Sequence, residues 1–147
     1  MAEDTENMWE IPEDEPLAAP SSILRKQAEK LSSVTNDLLV GSVVSEVSAN
    51  EIVHVLRITV PSLENYYTDI VTCKHGTMIY PAQIGAPEEF GIWGSNPREL
   101  TTPEQLEESL RKTLKSERVK KVIQSLIAQA SDAATAGVGK SSQIALF

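Results

Sequence analysis

The sequence concentrates its most reactive side chains in His54, Cys73 and His75. One residue separates Cys73 from His75, so the two share a face if this stretch is a strand. Antiparallel pairing with the preceding strand would bring His54 close to Cys73, and three such ligands suit a zinc ion with one open position. A lone buried cysteine more often behaves as a small apolar group, so we interpret the three residues as structural. We expect no metal and no cofactor.

Other chemical motifs are missing from the sequence. It contains no phosphate-cradling glycine loop, no nucleophile elbow and no paired-cysteine metal spacing. Tyr66, Tyr67 and Tyr80 could stack bases, but the predicted strands carry too few basic residues for a nucleic-acid platform. We therefore predict a protein that is not an enzyme and that does not bind nucleic acid directly.

The elements that position these side chains are four predicted strands between residues 38 and 84, the stretch richest in Val, Ile and Tyr. Alternation in the second strand gives one apolar face, and a stripe on the first strand matches it. The second-strand face consists of Ile52, His54, Leu56, Ile58 and Val60, and the first-strand stripe consists of Leu39, Val43 and Val47. Short connections predict an antiparallel meander.

The connections between these strands carry turn signals. Residues 48–50 are turn-prone, Pro61 begins the middle connection, and His75-Gly76 suits a tight turn before a last strand at residues 78–84. Residues 85–101 then predict a long loop broken by Gly and Pro. Trp93 in this loop either plugs the core, which we favour, or anchors a partner.

Helices are predicted before and after the strands in the sequence, and they can cover the one apolar face of the sheet, which makes the fold α+β. The first helix runs over residues 21–36, capped by Ser21 or Ser22. Thr101 or Thr102, followed by Pro103, starts a second helix. A third follows a possible break at Ser116 and ends near residue 130. The chain thus divides into a tail at 1–20, one domain at 21–130 and a flexible tail at 131–147.

Charge is distributed unevenly. Residues 1–16 hold seven of the 21 acidic side chains and no base, so the fourteen acids that remain nearly balance the 13 bases. This composition predicts a disordered acidic N-terminal tail. Within it, Trp9 belongs to an apolar island that docks on a partner, folds back on its own domain or has no role.

Six bases cluster in the predicted C-terminal helices: Arg111, Lys112, Lys115, Arg118, Lys120 and Lys121. We interpret the cluster as a solvated flank, since charge runs are usually surface. The alternative is contact with phosphates or with an acidic partner, including the protein's own acidic tail.

The cysteine content, the N-terminal sequence and the length of the apolar stretches indicate the cellular compartment. One cysteine excludes an intramolecular disulfide, the acidic N-terminus argues against a secretory signal, and no stretch reaches the about 18 apolar residues of a membrane span. We expect a cytoplasmic protein that does not bind membranes.

The chain ends in Gln143-Ile144-Ala145-Leu146-Phe147 after a small, unpatterned stretch. These five residues resemble the bacterial sliding-clamp-binding motif, whose usual form is Gln-Leu-Ser/Asp-Leu-Phe. Gln143, Leu146 and Phe147 match its most characteristic positions, Ile144 replaces leucine conservatively, and Ala145 lacks the common polar group. The resemblance implies that Gln143 hydrogen-bonds in the clamp's peptide groove while Leu146 and Phe147 fill its apolar subsite.

Two functions follow from these observations. The first is a non-enzymatic adaptor in DNA replication or repair, recruited to the sliding clamp through residues 143–147. The second is a small acidic cytosolic chaperone or immunity-type inhibitor that binds another polypeptide. The chain looks somewhat like secretion-system chaperones in size, acidity and its mixture of helices around a sheet.

Overall fold

The computed structural model describes residues 5–12, 17–90 and 98–136. Within these residues the chain forms an α+β fold, as predicted. The helices are α1 (Pro20–Val34), α2 (Pro103–Leu114) and α3 (Glu117–Ala136). The strands are β1 (Val40–Ser48), β2 (Glu51–Val60), β3 (Tyr66–His75), β4 (Ala82–Gly85) and β5 (Arg98–Leu100), with 3-10 turns at Pro61–Leu63 and Pro87–Glu89.

The strands form one sheet in the order β1-β2-β3-β4-β5, and every neighbouring pair is antiparallel. The predicted meander is confirmed, but it has a fifth strand in the stretch predicted as a loop. β5 is only three residues long, so it offers no alternation for a sequence pattern to detect.

The last predicted strand, at residues 78–84, is confirmed only for its second half, and the tight turn predicted at His75-Gly76 was wrong. β4 begins only at Ala82, and its first cross-strand partner on β3 is Lys74, opposite Gln83. The connection instead runs through residues 76–81 and contains a cis peptide bond between Tyr80 and Pro81. Pro81 has no amide hydrogen to donate, so it does not extend the ladder.

The predicted core face of β2 is confirmed from His54 to Val60, where alternate side chains are buried. Leu39 is buried and Val43 packs against the core, but Val47, predicted in the same stripe, is exposed. Val47 lies near the β1–β2 turn, where the residues of β1 are exposed, so the helices do not cover this end of the hairpin.

α1 packs against β1 at very close range. A Cβ atom on Gly41 would lie 2.5 Å from the Ala28 carbonyl oxygen, so a side chain at this position would require the helix to shift. The Gly41 amide donates to Ser32 Oγ at 2.9 Å, and Ser32 Oγ in turn donates to the Ala28 carbonyl at 3.3 Å. Glycine therefore sets the distance between the helix and the sheet.

A β-bulge in β3 gives α3 a polar contact with the sheet. The β2–β3 register shifts between Leu56 and Arg57, and both Ile70 and Val71 are buried at that point. The Ile70 carbonyl accepts a hydrogen bond from the Arg118 guanidinium at 2.9 Å. Arg118 was predicted to lie on a solvated flank; it is half-buried because it satisfies the backbone at the bulge.

The helix ends differ in part from the predictions. α1 starts at Pro20, with Ala19 as N-cap, because proline suits the first helical position; neither Ser21 nor Ser22 is the cap. Thr102 caps α2 by accepting from the Gln105 amide at 3.1 Å, as predicted. α3 continues past residue 130 to Ala136, since Ala133 is buried against the body.

Candidate functional site

A pair of buried histidines lies on the core face of the sheet, toward the β1–β2 turn. His54 of β2 and His75 of β3 face each other through their Nε2 atoms, which lie 2.9 Å apart. Their ring centroids are 5.0 Å apart, as expected for imidazoles that meet end to end. The pairing of His54 with Cys73 in the β2–β3 register confirms that these residues share one face. The sheet therefore places both histidines and Cys73 together.

The surrounding hydrogen bonds define the tautomers. His75 Nδ1 lies 2.8 Å from the Gly76 carbonyl oxygen, which can only accept, so His75 carries its proton on Nδ1 in the neutral pair. His54 Nε2 then donates to His75 Nε2, and His54 Nδ1 accepts from the Ser45 hydroxyl at 2.6 Å. The result is a hydrogen-bonded chain from Ser45 on the edge strand to the Gly76 carbonyl.

This series of hydrogen bonds connects a serine to a histidine as in a catalytic serine–base pair, but its electrostatics differ. In a catalytic triad, a carboxylate behind the histidine stabilises the imidazolium that forms. Here burial, followed by His75 and Arg25, lowers the pKa of His54. A proton transferred from Ser45 would therefore create a charge that its surroundings disfavour. The arrangement is that of a buried polar pair whose hydrogen bonds are satisfied.

Cys73 is fully buried in the hydrophobic core. Burial raises the pKa of its thiol to about 12, which disfavours the thiolate that binds metals and attacks electrophiles. Among the described residues, no group of three or more His, Cys, Asp or Glu side chains is placed to hold a metal ion. The end-to-end hydrogen bond between the histidines points their nitrogens at each other rather than at a common ligand position.

The residues predicted to bind partners fall into two groups. Gln143, Ile144, Leu146 and Phe147 lie outside the described residues, and so does Trp93. Trp9 is described: it is 79% exposed, in a segment (residues 5–12) that forms neither helix nor strand. In the arrangement that the structure describes, Trp9 is therefore not packed against the domain.

The C-terminal half of α3 is held to the turn between β2 and β3. Ser62 Oγ, in the turn between β2 and β3, donates to the Ala130 carbonyl of α3 at 3.2 Å. Ala130 and Ala133 are both buried. α3 is therefore packed against the body as far as Ala133.

Sequence reasoning missed an apolar groove between α1 and the two C-terminal helices, here called the interhelical groove. Leu31 of α1 lines one wall, Val119 and Ile123 of α3 line the other, and Leu56 and Ile58 of the sheet form the floor. This part has a volume of about 210 Å³. It meets a second depression, between α1 and α2, at Gln27 and Leu114, which line both.

Bases border the interhelical groove along its length. Four of the residues that line its two parts are basic and one is acidic; these are Lys26, Lys30, Arg111, Lys115 and Glu107. The apolar stripe and the adjacent bases of α1 are visible in the sequence, but the gap between the helices depends on their spacing in the fold. The groove can accept an apolar segment that carries negative charge.

Within the described ranges, none of the helices combines the length and the apolar character that crossing a bilayer requires. Comparisons of the chain with protein-family models, curated proteins and solved structures gave no match.

Proposed function

We propose that this chain is an adaptor protein, recruited to the bacterial DNA sliding clamp through its C-terminal peptide. The observation that supports the proposal is the terminal sequence Gln143-Ile144-Ala145-Leu146-Phe147, which matches the clamp-binding motif at its three most characteristic positions. An apolar end on an otherwise polar tail favours a role in binding, because Leu146 and Phe147 contribute roughly 1.5–3 kcal/mol each when buried.

The body supports this role by fixing the start of the tail. α3 is held to the β2–β3 turn through Ala130, and residues 137–142 separate the end of α3 from the peptide. Six residues can span about 20 Å when extended, so the peptide can reach a pocket that the body does not touch. Binding would hold whatever the body carries at a high local concentration on the clamp.

The test is a pull-down of purified clamp with the full chain and with a chain that ends at residue 142. We expect the full chain to retain the clamp and the shortened chain to lose it. Because α3 ends at Ala136, this deletion leaves the described body intact. Equal retention by both chains would refute the proposal.

A second candidate, a chaperone or inhibitor that binds another polypeptide through the body, is favoured by the interhelical groove. Its apolar walls and basic border suit a peptide segment rather than a small polar ligand. A partner that co-purifies with the chain after removal of residues 137–147, and is lost when Leu31 becomes Asp, would support this candidate. A partner lost with the tail alone would support the clamp adaptor.

A further inference from the structure

The interhelical groove and the N-terminal segment, residues 5–12, have complementary properties. The groove offers an apolar floor and a border of four bases against one acid. The segment offers three large apolar side chains, Met8, Trp9 and Ile11, and each is more than 70% exposed. Large apolar side chains grouped in this way usually mark a binding surface.

The charges of the two parts also match. Glu6 and Glu10 lie within the segment, the neighbouring residues of the sequence add further acids, and residues 1–16 contain no Lys or Arg. On the groove, Lys26 and Lys30 lie on α1, Arg111 lies on α2, and Lys115 follows the last residue of α2. Opposite charges attract the segment to this basic surface, and the repulsion between like charges disfavours its contact with acidic surfaces elsewhere.

The segment can reach the groove. The Ala18 carbonyl accepts a hydrogen bond from the Tyr80 hydroxyl at 2.9 Å, which holds the chain just before α1. Gln27, where the two parts of the groove meet, is about 10 Å along α1 from Pro20 at a rise of 1.5 Å per residue. The chain between Pro12 and Ala18 can extend over about 20 Å, which is twice that distance.

We propose that the N-terminal segment docks in the interhelical groove of its own chain, with Met8, Trp9 and Ile11 on the apolar floor and the acids against the basic border. The structure describes the segment undocked, so the docked form is a second arrangement of the same chain. Because the segment is tethered beside the groove, an acidic peptide from another protein has to displace it. This inference does not depend on the C-terminal peptide.

The test uses the full chain with a photoreactive p-benzoylphenylalanine in place of Trp9. After irradiation at low protein concentration, cross-links are mapped by mass spectrometry. We expect cross-links to groove residues of α1 and α2, such as Gln27 and Leu114, within the same chain. Cross-links spread evenly over the surface would overturn the proposal.

Charge variants test the electrostatic part of the inference. In Lys26→Glu/Lys115→Glu, we expect the groove cross-links to fall at least fivefold, and in Lys112→Glu to stay unchanged. Lys112 is a matched control because it is exposed on α2 but does not line the groove. Equal cross-linking in the double variant and the control would contradict the proposal.

A variant in the segment covers the case in which changes to the groove unfold the body. Glu6→Lys/Glu10→Lys alters only exposed residues outside the helices and the sheet, and we expect it to reduce the groove cross-links to the same degree. Undiminished cross-links in this variant would count against electrostatic docking.

Two other occupants of the interhelical groove, a second copy of the chain and the C-terminal peptide, would give different cross-links. Mixing isotopically labelled and unlabelled chains separates intrachain from interchain cross-links, and interchain links alone would assign the groove to a second copy. A photoreactive group at Phe147 that labels the groove, while one at Trp9 does not, would assign it to the C-terminal peptide. Either result would overturn docking of the N-terminal segment.

Discussion

His54 Nε2 and His75 Nε2 lie 2.9 Å apart in the protein interior. The two histidines are 21 residues apart in the sequence and belong to neighbouring strands. His54 also accepts a hydrogen bond from Ser45 on the edge strand, so one row of hydrogen-bonded side chains, Ser45, His54 and His75, links β1, β2 and β3. The row is satisfied only while the two facing nitrogens share a single proton. This relationship makes stability sensitive to pH.

We predict that the free energy of unfolding decreases as pH falls below about 6.5. Burial, His75 and Arg25 lower the pKa of His54 from its ordinary value of 6.5. Below about pH 6.5, His54 is therefore more protonated in the unfolded chain than in the folded chain. The stabilisation is complete above the pKa of His54 in the unfolded chain, and it is lost as pH falls toward the pKa of His54 in the folded chain. The total loss is about 1.4 kcal/mol for each unit by which folding lowers this pKa.

Urea titrations of the wild type and His54→Gln between pH 7.5 and 5 measure this effect. We expect the variant to have a smaller loss of stability over this range, although its stability at pH 7.5 is lower. Parallel pH profiles for the two proteins would show that His54 is not the responsible group.

The close packing of α1 on β1 gives a second prediction. Gly41→Ala places a Cβ 2.5 Å from the Ala28 carbonyl oxygen, so the helix must move and stability should fall by about 1–3 kcal/mol. Gly76→Ala is the matched control, because its nearest contact would be the Asn50 carbonyl oxygen at 3.8 Å. Equal thermal midpoints for the two variants would show that the helix can shift at little cost.

Arg118 should contribute to stability through the bulge. Arg118→Ala removes the donor to the Ile70 carbonyl, and we expect a loss of about 1–3 kcal/mol in chemical denaturation. Lys120→Ala on the same helix removes only an exposed ion pair with Glu117 and should cost less than about 0.5 kcal/mol. If Lys120→Ala were as destabilising as Arg118→Ala, the account of the bulge would be wrong.

Cys73 should be inert in the folded protein. Because burial raises the pKa of its thiol to about 12, iodoacetamide at pH 8 should modify Cys73 only after denaturant is added. Intact-mass measurement follows the modification over time. Rapid labelling of the native chain would show that the thiol reaches solvent and is more acidic than its burial implies.

Sequence patterns correctly predicted those parts of the fold that are determined by residues close together in the sequence. Alternation placed His54 on the core face, and the Thr102-Pro103 sequence marked the start of α2. The contact of His54 with His75 was not predictable, because it requires the strand register and the position of β3 beyond the bulge. A one-residue change in register would have placed either histidine on the other face.

The candidate binding surfaces divide in the same way. The C-terminal motif is a property of five consecutive residues, so the sequence was sufficient to propose it. The interhelical groove arises because α1 and α3 lie on the same sheet face and leave Leu56 and Ile58 between them. The burial at Arg118 was missed for a related reason: its partner is a backbone carbonyl released by a bulge.

The most direct test of the adaptor proposal is a calorimetric titration of purified sliding clamp with the full chain. We expect saturable binding that is lost in Leu146→Ala/Phe147→Ala, weakened in Gln143→Ala and unchanged in Ser142→Ala, the matched control just outside the motif. The body should keep its thermal midpoint in all three variants. Binding of equal strength by the wild type and Leu146→Ala/Phe147→Ala, or no binding by the wild type, would contradict the account.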